Sequence, residues 1–548
     1  MASRDLRANF VTPEEAAASI ADGTTICTIG MTLVSASESN LKAIEKRFLE
    51  TGHPCGLTLL HSCGQSDRAR GIQHLAHDGL VTRIIGSHWG LQPKWMDMIA
   101  SNKVVAYCLP QGQIAQLYRA MACGLPGKMS KVGLGTFIDP RVEGGKMNER
   151  TQGEPDIVEI VTYHGEEYMM YNEVPIDTLL IRGTTCDEMG NMTTTDEAMK
   201  LEVFNAVLAA KRYGGQVIAQ VRDVAQTGTL NPKDVTVPGV FIDKVVVCPN
   251  PEEDHRMTSS IYFDPSYVGK LRRPMAAIDP APFNVRKFIA RRGCQELYPG
   301  CVVNLGTGIP NDMVGRVCAE EGLSDKVMIT VESGIYGGVQ LGGIDFGIGQ
   351  NLYAMVSHPE QFDYYDGAGV DVTYMGLGEL DGEGNVNSTK MGERCTGAGG
   401  FVDITQNAKC VVYLGTFTAK GTEYSFDGNE LRILKEGAVK KMVRRVRQVS
   451  FNGPRARKSG QRVVVVTERA VFELVPEGVR LVEIAPGIDL KTQVLDMMDF
   501  SPIVADDLTT MSTSLFERDG PCGLLEGFGA RQAPLARGQY AFDTLGKD

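Results

Sequence analysis

With 548 residues the chain exceeds the ~250–300 residues at which single cores stop growing, so two large domains are predicted. A hydrophobic share of 43% with 22% charged residues excludes a disordered or fibrous chain. The net charge of -12 excludes the broad basic face of a nucleic-acid binder, so any polyanionic ligand must be met by local cations.

Taken in chain order, short apolar runs occupy 25–29 (TICTI), 57–60 (LTLL), 104–109 (VVAYCL), 302–305 (VVNL) and 327–331 (VMITV), with amphipathic stretches such as 39–48 between them. That alternation predicts α/β layers around open, mostly parallel sheets. The 62 glycines exceed the usual ~7% share and predict many tight turns and ligand loops. Residues 177–191 (DTLLIRGTTCDEMGN) and 371–385 (DVTYMGLGELDGEGN) share aspartates, a Gly-Asn pair and an apolar run in one register, and each precedes another strand, at 216–221 and 410–414. The chain is therefore read as two related domains, 1–275 and 276–548, joined within the proline-interrupted stretch 249–282. Segments 133–139 (GLGTFID) and 397–403 (GAGGFVD) look alike but lie on opposite sides of their hairpins, so they are not part of the repeat. The basic stretch 435–462 is predicted as a solvated edge strand and turn, with a phosphate site as its sharper reading. The Gly-, Pro- and Arg-rich tail after 506 is predicted to wrap the surface.

Residues 1–15 lack the apolar core of a signal peptide, and no run of about 18 apolar residues follows. Thirteen scattered cysteines, an odd number without a CxxC pair, read as reduced thiols. The expectation is a cytoplasmic protein that neither crosses nor binds a membrane.

The sharpest local feature is 326–338, KVMITVESGIYGG, where an apolar strand ends in Glu332 followed by small residues and glycines. Ligands of open α/β sheets bind at the carboxyl ends of strands, and a carboxylate there can act as nucleophile or base. By spacing alone it serves equally as a cap or an ion-pair partner. A second strand runs into 302–310 (VVNLGTGIP), whose glycine loop and following helix over 311–321 can present N–H groups to an anion. The segment 397–401 (GAGGF) offers further backbone donors suited to an oxyanion.

In combination these segments resemble the family I coenzyme A transferases of the single-chain propionate or acetate type, within the 3-oxoacid CoA-transferase superfamily. The resemblance covers nearly the whole chain and includes 86–94 (GSHWGLQPK), 109–112 (LPQG), 131–140 (KVGLGTFIDP), 468–474 (ERAVFEL) and 483–490 (EIAPGIDL). It implies two NagB-like, Rossmann-like α/β domains with the active site between them. Glu332 is then the glutamate that is acylated and carries CoA as a thioester, in ping-pong exchange between short-chain acyl-CoA and free carboxylates. Gly397, Gly399, Gly400 and the Asn387 side chain are the implied oxyanion and substrate contacts, and Gly306, Gly308 and Gly334 the implied CoA contacts. CoA is a substrate and covalent intermediate; no metal and no redox cofactor are implied, and the assembly is a homodimer or homotetramer. Segment 28–34 (TIGMTLV) departs from the small, glycine-rich loop of that family, because Met31 and Leu33 bear on the size of the acyl pocket.

An acyl-CoA hydrolase would share Glu332 and differ by admitting water. A ligand-binding protein on the same fold would need a damaged site or an added DNA-binding element. No GxGxxG with a following acidic residue supports a dinucleotide enzyme. His61, Cys63, His74, His77 and His88 cluster in sequence, but without the spacing of a tetrahedral metal site they read as satisfied polar or core residues. Ser62 takes roughly the place in the first half that Glu332 takes in the second, which points to one catalytic and one supporting half.

Overall fold

The computed structural model describes residues 6–274 and 280–533. The expected boundary between 275 and 276 lies outside the described residues. Two large sheets organise the chain. The core of the first runs in the order Lys244–Val247, Gln216–Ala225, Thr178–Asp187, Thr25–Thr28, Leu57–His61, Val81–Gly86, Val105–Cys108, each of these pairs parallel, while the short Met192–Thr193 and Val235–Val237 extend it antiparallel beside Thr178–Asp187. Its strands are apolar on both faces, as parallel strands covered by helices require, and Val105–Cys108 is buried throughout.

The second sheet is mixed. Met328–Val331, Val302–Leu305, Val372–Gly376, Cys410–Leu414 and Arg462–Val466 form a parallel centre. Beyond Arg462–Val466, strands Ala470–Val475 and Gly478–Ile484 are added antiparallel, and Ile503–Thr510 pairs parallel with the latter.

The internal repeat extends to single hydrogen bonds. Asp177 accepts the amide of Thr25, and Asp371 that of Val302, both at 2.8 Å. Asp187 closes its hairpin by accepting from the amides of Met189 and Asn191 and from the Asn191 side chain. Asp381 does the same with Glu383 and Asn385. Asn191 then accepts from Gly239 and Asn385 from Gly453, each at 3.0 Å. Since Thr25 pairs with Thr58 and Val302 with Met328, the residue after strand Leu57–His61 matches the residue after Met328–Val331. Ser62 is therefore the topological counterpart of Glu332.

The halves meet along helix Gln111–Ala122, which packs on His358–Gly367 and Phe401–Asn407. Gln113 Nε2 donates to Asp366 and to Asp403, both at 2.8 Å, and the Gly112 amide donates to Asp403 at 3.2 Å. Burial raises both carboxyls above their ordinary range, Asp403 the more because Asp366 lies beside it. Segment 133–139 completes the seam: Phe137 donates to Val449 O, and Asn452 to Gly135 O.

The basic stretch departs from its expectation. Rather than one edge strand, it contains the short strand Val439–Lys440, helix Gly453–Lys458 and the interior strand Arg462–Val466. Several of its cations are paired with acids distant in sequence, Arg457 with Glu383 and Arg462 with Glu296 and Glu473, while Lys441 turns inward. Local charge alternation cannot distinguish a solvated edge from a strand whose flanking charges find acidic partners distant in sequence. The tail is tied down by Arg291, which donates to the carbonyls of Leu515, Glu517 and Gly520, and by Glu321, which accepts from the amides of Cys522 and Leu524.

Candidate functional site

Strand Met328–Val331 delivers Glu332 to the wall of a cavity of about 670 Å³ that takes lining residues from both halves. Gly334 makes the turn behind it, with φ +98° and its amide on Val331 O; a Cβ there would stand 2.3 Å from Val356 O. Glu332 is only 7% exposed, and burial pushes its pKa up to about 7, opposed by His358 and by a hydrogen bond from Gln111. The carboxylate is thus poised to ionise near neutrality in a site of low polarity.

Gln111, the first residue of its helix, has Nε2 3.4 Å from Glu332 Oε1 and 2.9 Å from His358 Nε2. His358 opens helix His358–Gly367, whose start is fixed by the Ser357–Glu360 capping box. Its Nδ1 lies 2.7 Å from Glu202, which in turn accepts from the Ser62 hydroxyl. These groups are buried, and the Cys63 sulfur sits 3.7 Å from His358 Nε2.

Gly400 stands against the nucleophile, since a Cβ added there would meet Glu332 Cδ at 3.3 Å. Of the three glycine amides in 397–400, Gly397 donates to Thr389 O at 3.2 Å and Gly399 to Ser87 O at 2.9 Å. Among the described residues the Gly400 amide has no such acceptor. The segment is drawn onto the first half by an antiparallel bridge between His88 and Gly397, and by Gln111 N donating to Gly399 O. Gly397 has φ +80° and leaves only 2.4 Å between a Cβ and Ser87 O, so this close approach needs glycine.

Gly306 and Gly308 line the same cavity at the end of strand Val302–Leu305. Two of the expected contacts lie elsewhere. Gly334 is a turn residue behind Glu332. Asn387 spends its amide on Glu379 and the Lys390 carbonyl, both at 2.8 Å, while its oxygen accepts from the amides of Thr389 and Lys390. Its side chain shapes the hairpin and has no donor left for an oxyanion. Gly397 and Gly399 line the cavity, yet the Gly397 N–H is spent on Thr389 O within its own half and the Gly399 N–H on Ser87 O across the seam, which leaves Gly400 as the donor of the three.

Met31 lines the cavity and Leu33 does not; Met31 is joined by Leu91, Ile309, Ile344, Phe346 and Met375 in a largely apolar wall. Arg68, Arg286 and Lys441 supply its cations; Arg286 is paired with Asp312 at 2.6 Å, and burial lowers the Lys441 pKa to about 8. Gln111, His358 and Glu202 were not among the residues anticipated from sequence. The S-x-x-E of Ser357–Glu360 marks a helix start and so was a readable signal for His358, but nothing local ties it to Glu332.

Comparison with known proteins agrees with this architecture. The coenzyme A transferase family model matches residues 10–248. Caffeate CoA-transferase of Acetobacterium woodii is 42% identical over 515 residues, covering 93% of this chain and 97% of that protein. Acetate CoA-transferase YdiF of Escherichia coli O157:H7 is 37% identical over 517 residues, with 93% and 95% covered. The crystal structure of the YdiF apoenzyme superposes with a TM-score of 0.89 at 36% identity, over 95% of this chain and 98% of that one. A YdiF thioester complex with CoA gives 0.87 over 94% and 98%. No helix among the described residues is long and apolar enough to cross a membrane. The fold, the seam and these similarities together make the chain an enzyme of the coenzyme A transferase family.

Proposed function

We propose that this enzyme exchanges CoA between short-chain acyl-CoA and a free carboxylate through a glutamyl-CoA thioester on Glu332. The observation that carries the reading is a strand-end carboxylate facing a cavity walled by both halves, with Gly400, whose amide has no acceptor among the described residues, packed against it. Glu332 attacks the thioester carbonyl, and the C–S bond breaks with CoA leaving as thiolate. The thiolate then attacks the Glu332 carbonyl of the mixed anhydride and expels the first carboxylate. An incoming carboxylate reverses both steps. Both nucleophiles are anions, so the sequence uses no metal, no redox cofactor and no general base. Each tetrahedral intermediate carries an oxyanion, and one preorganised donor such as Gly400 N–H is worth ~100- to 1,000-fold in rate. The apolar wall keeps water from the anhydride.

Acetate, propionate and butyrate are the proposed acids, with Arg68 and Arg286 meeting CoA phosphates. Because one relative is named for caffeate, an aryl acid belongs in the acceptor panel. A homodimer or homotetramer is the proposed assembly.

Intact-protein mass after brief exposure to acetyl-, propionyl- or butyryl-CoA without acceptor tests the reading. A CoA-sized adduct, mapped to Glu332 and removed by borohydride reduction, is expected. Release of free acid with no adduct would identify a hydrolase instead. Absence of both from the folded protein with every donor would refute the covalent mechanism.

A further inference from the structure

The first half carries Ser62 rather than a carboxylate at the position matching Glu332, and that position is joined to Glu332 by an unbroken line of buried contacts. Ser62 donates to Glu202 Oε1, and Glu202 Oε2 takes the Nδ1 side of His358 at 2.7 Å. His358 Nε2 faces Gln111 at 2.9 Å, and Gln111 faces Glu332 Oε1 at 3.4 Å. Glu202 caps helix Val203–Arg212, His358 begins His358–Gly367 and Gln111 begins Gln111–Ala122, so three helix starts converge on this line. His358 is further tied across the seam by its amide on Leu201 O.

We propose that Glu202 and His358 are positioning residues for the nucleophile, acting through Gln111 to keep Glu332 ionised and aimed into the cavity. Glu202 accepts from His358 Nδ1 and, with the Cys63 sulfur beside the ring, raises the His358 pKa well above its ordinary value against the effect of burial. The ring thus holds positive charge next to Gln111, whose amide reaches on to Glu332 Oε1. That charge and the Gln111 contact both oppose the burial that pushes the Glu332 carboxyl up. The counterpart of the active site has thus become the anchor that holds a charge beside the nucleophile across the seam.

This inference rests on Glu332 being the nucleophile. The other ionisable groups around the line are held neutral: burial keeps Cys63, Cys27, Tyr118 and Tyr365 protonated, and lowers His88, on the cavity wall, to about 4. Tyr118 and Cys27 face Glu202, and Tyr365 faces Glu332. The acid limb of the rate profile therefore reports Glu332 together with His358.

The test is the pH dependence of single-turnover glutamyl-CoA formation in wild type, Glu202→Gln, Glu202→Asp and Ser62→Ala. The nucleophile works as the anion, so weakening the Glu202 hold on the His358 charge moves the acid limb to higher pH. Glu202→Gln, nearly isosteric, is expected to move it by about half a unit or more, a ~3-fold or greater loss below the limb that recovers at high pH. Glu202→Asp, which keeps the acceptor, should restore much of the shift, and Ser62→Ala should give a smaller shift in the same direction. A uniform loss at every pH, or a limb that stays in place, would overturn the proposal. If Glu202→Gln does not fold, the unmoved limb of Ser62→Ala overturns it equally. Failure of wild type to form the Glu332 adduct would instead remove the underlying mechanism.

Discussion

An ionised Glu332 destabilises the fold that holds it. Its pKa stands at about 7 against an ordinary 4.5, because burial strips the carboxylate of water. Between those values the native state keeps a proton that the unfolded chain has released, so stability from this group falls as pH rises through the window and is level above it. The full cost above pH 7 is about 3 kcal/mol. Glu332→Gln removes that cost together with the nucleophile, so the variant should melt several degrees above wild type at pH 8.5, with the difference shrinking towards zero near pH 4.5. Thermal melts of the two proteins at both pH values decide this, and an offset independent of pH would mean the carboxylate is solvated. Glu332 was legible in the sequence because a β-run ending in Glu-Ser-Gly places an acid where open sheets bind ligands. The partners that set its ionisation were not, since Gln111, Glu202 and His358 belong to segments that meet only in the folded chain.

At the scale of elements, the apolar runs 25–29, 57–60, 104–109, 302–305 and 327–331 each became a strand, because parallel strands buried on both faces leave a continuous apolar signature. The two hairpins were legible through their aspartates, whose hydrogen bonds to the turn amides are local. What the sequence could not disclose is how closely helices approach. Gly112 sits where helix Gln111–Ala122 crosses His358–Gly367, and an added Cβ would stand 2.3 Å from the Phe362 ring and 2.8 Å from Asp403 Oδ1. Alanine is favoured over glycine in a helix by ~1 kcal/mol, so Gly112→Ala should leave the helix itself intact. The crossing would still have to open and carry Gln111 away from His358 and Glu332. Displacements near 1 Å can cost ~100-fold. Steady-state kinetics should show a loss of that order with an unchanged far-ultraviolet circular dichroism spectrum, and full activity in the variant would show that the crossing has slack.

Across the whole molecule, a cavity walled by both halves makes activity depend on both, whichever half carries the chemistry. The chain has two tryptophans, Trp89 and Trp95, both fully buried in the first half, with Trp89 also touching the seam through its amide on Thr396 O, so their fluorescence reports mainly that half. Asp187 and Asp381 are matched hairpin staples, each receiving three bonds from its own turn, and neither lines the cavity. Hydrogen bonds to a charged group are worth ~1.5–3 kcal/mol each at most, and the turn amides can regain some from water, so alanine at either position should cost about 3 kcal/mol. At 25 °C both variants should turn over normally. On heating, Asp187→Ala should lose activity and tryptophan signal together, because the weakened half is the one that fluoresces. Asp381→Ala should lose activity several degrees before the tryptophans respond, because the second half opens first and takes Glu332 with it. Coincident loss in both variants would mean that the seam of Gln113, Asp366 and Asp403 couples the halves into one cooperative unit, and that the duplication survives in hydrogen bonds but not in stability.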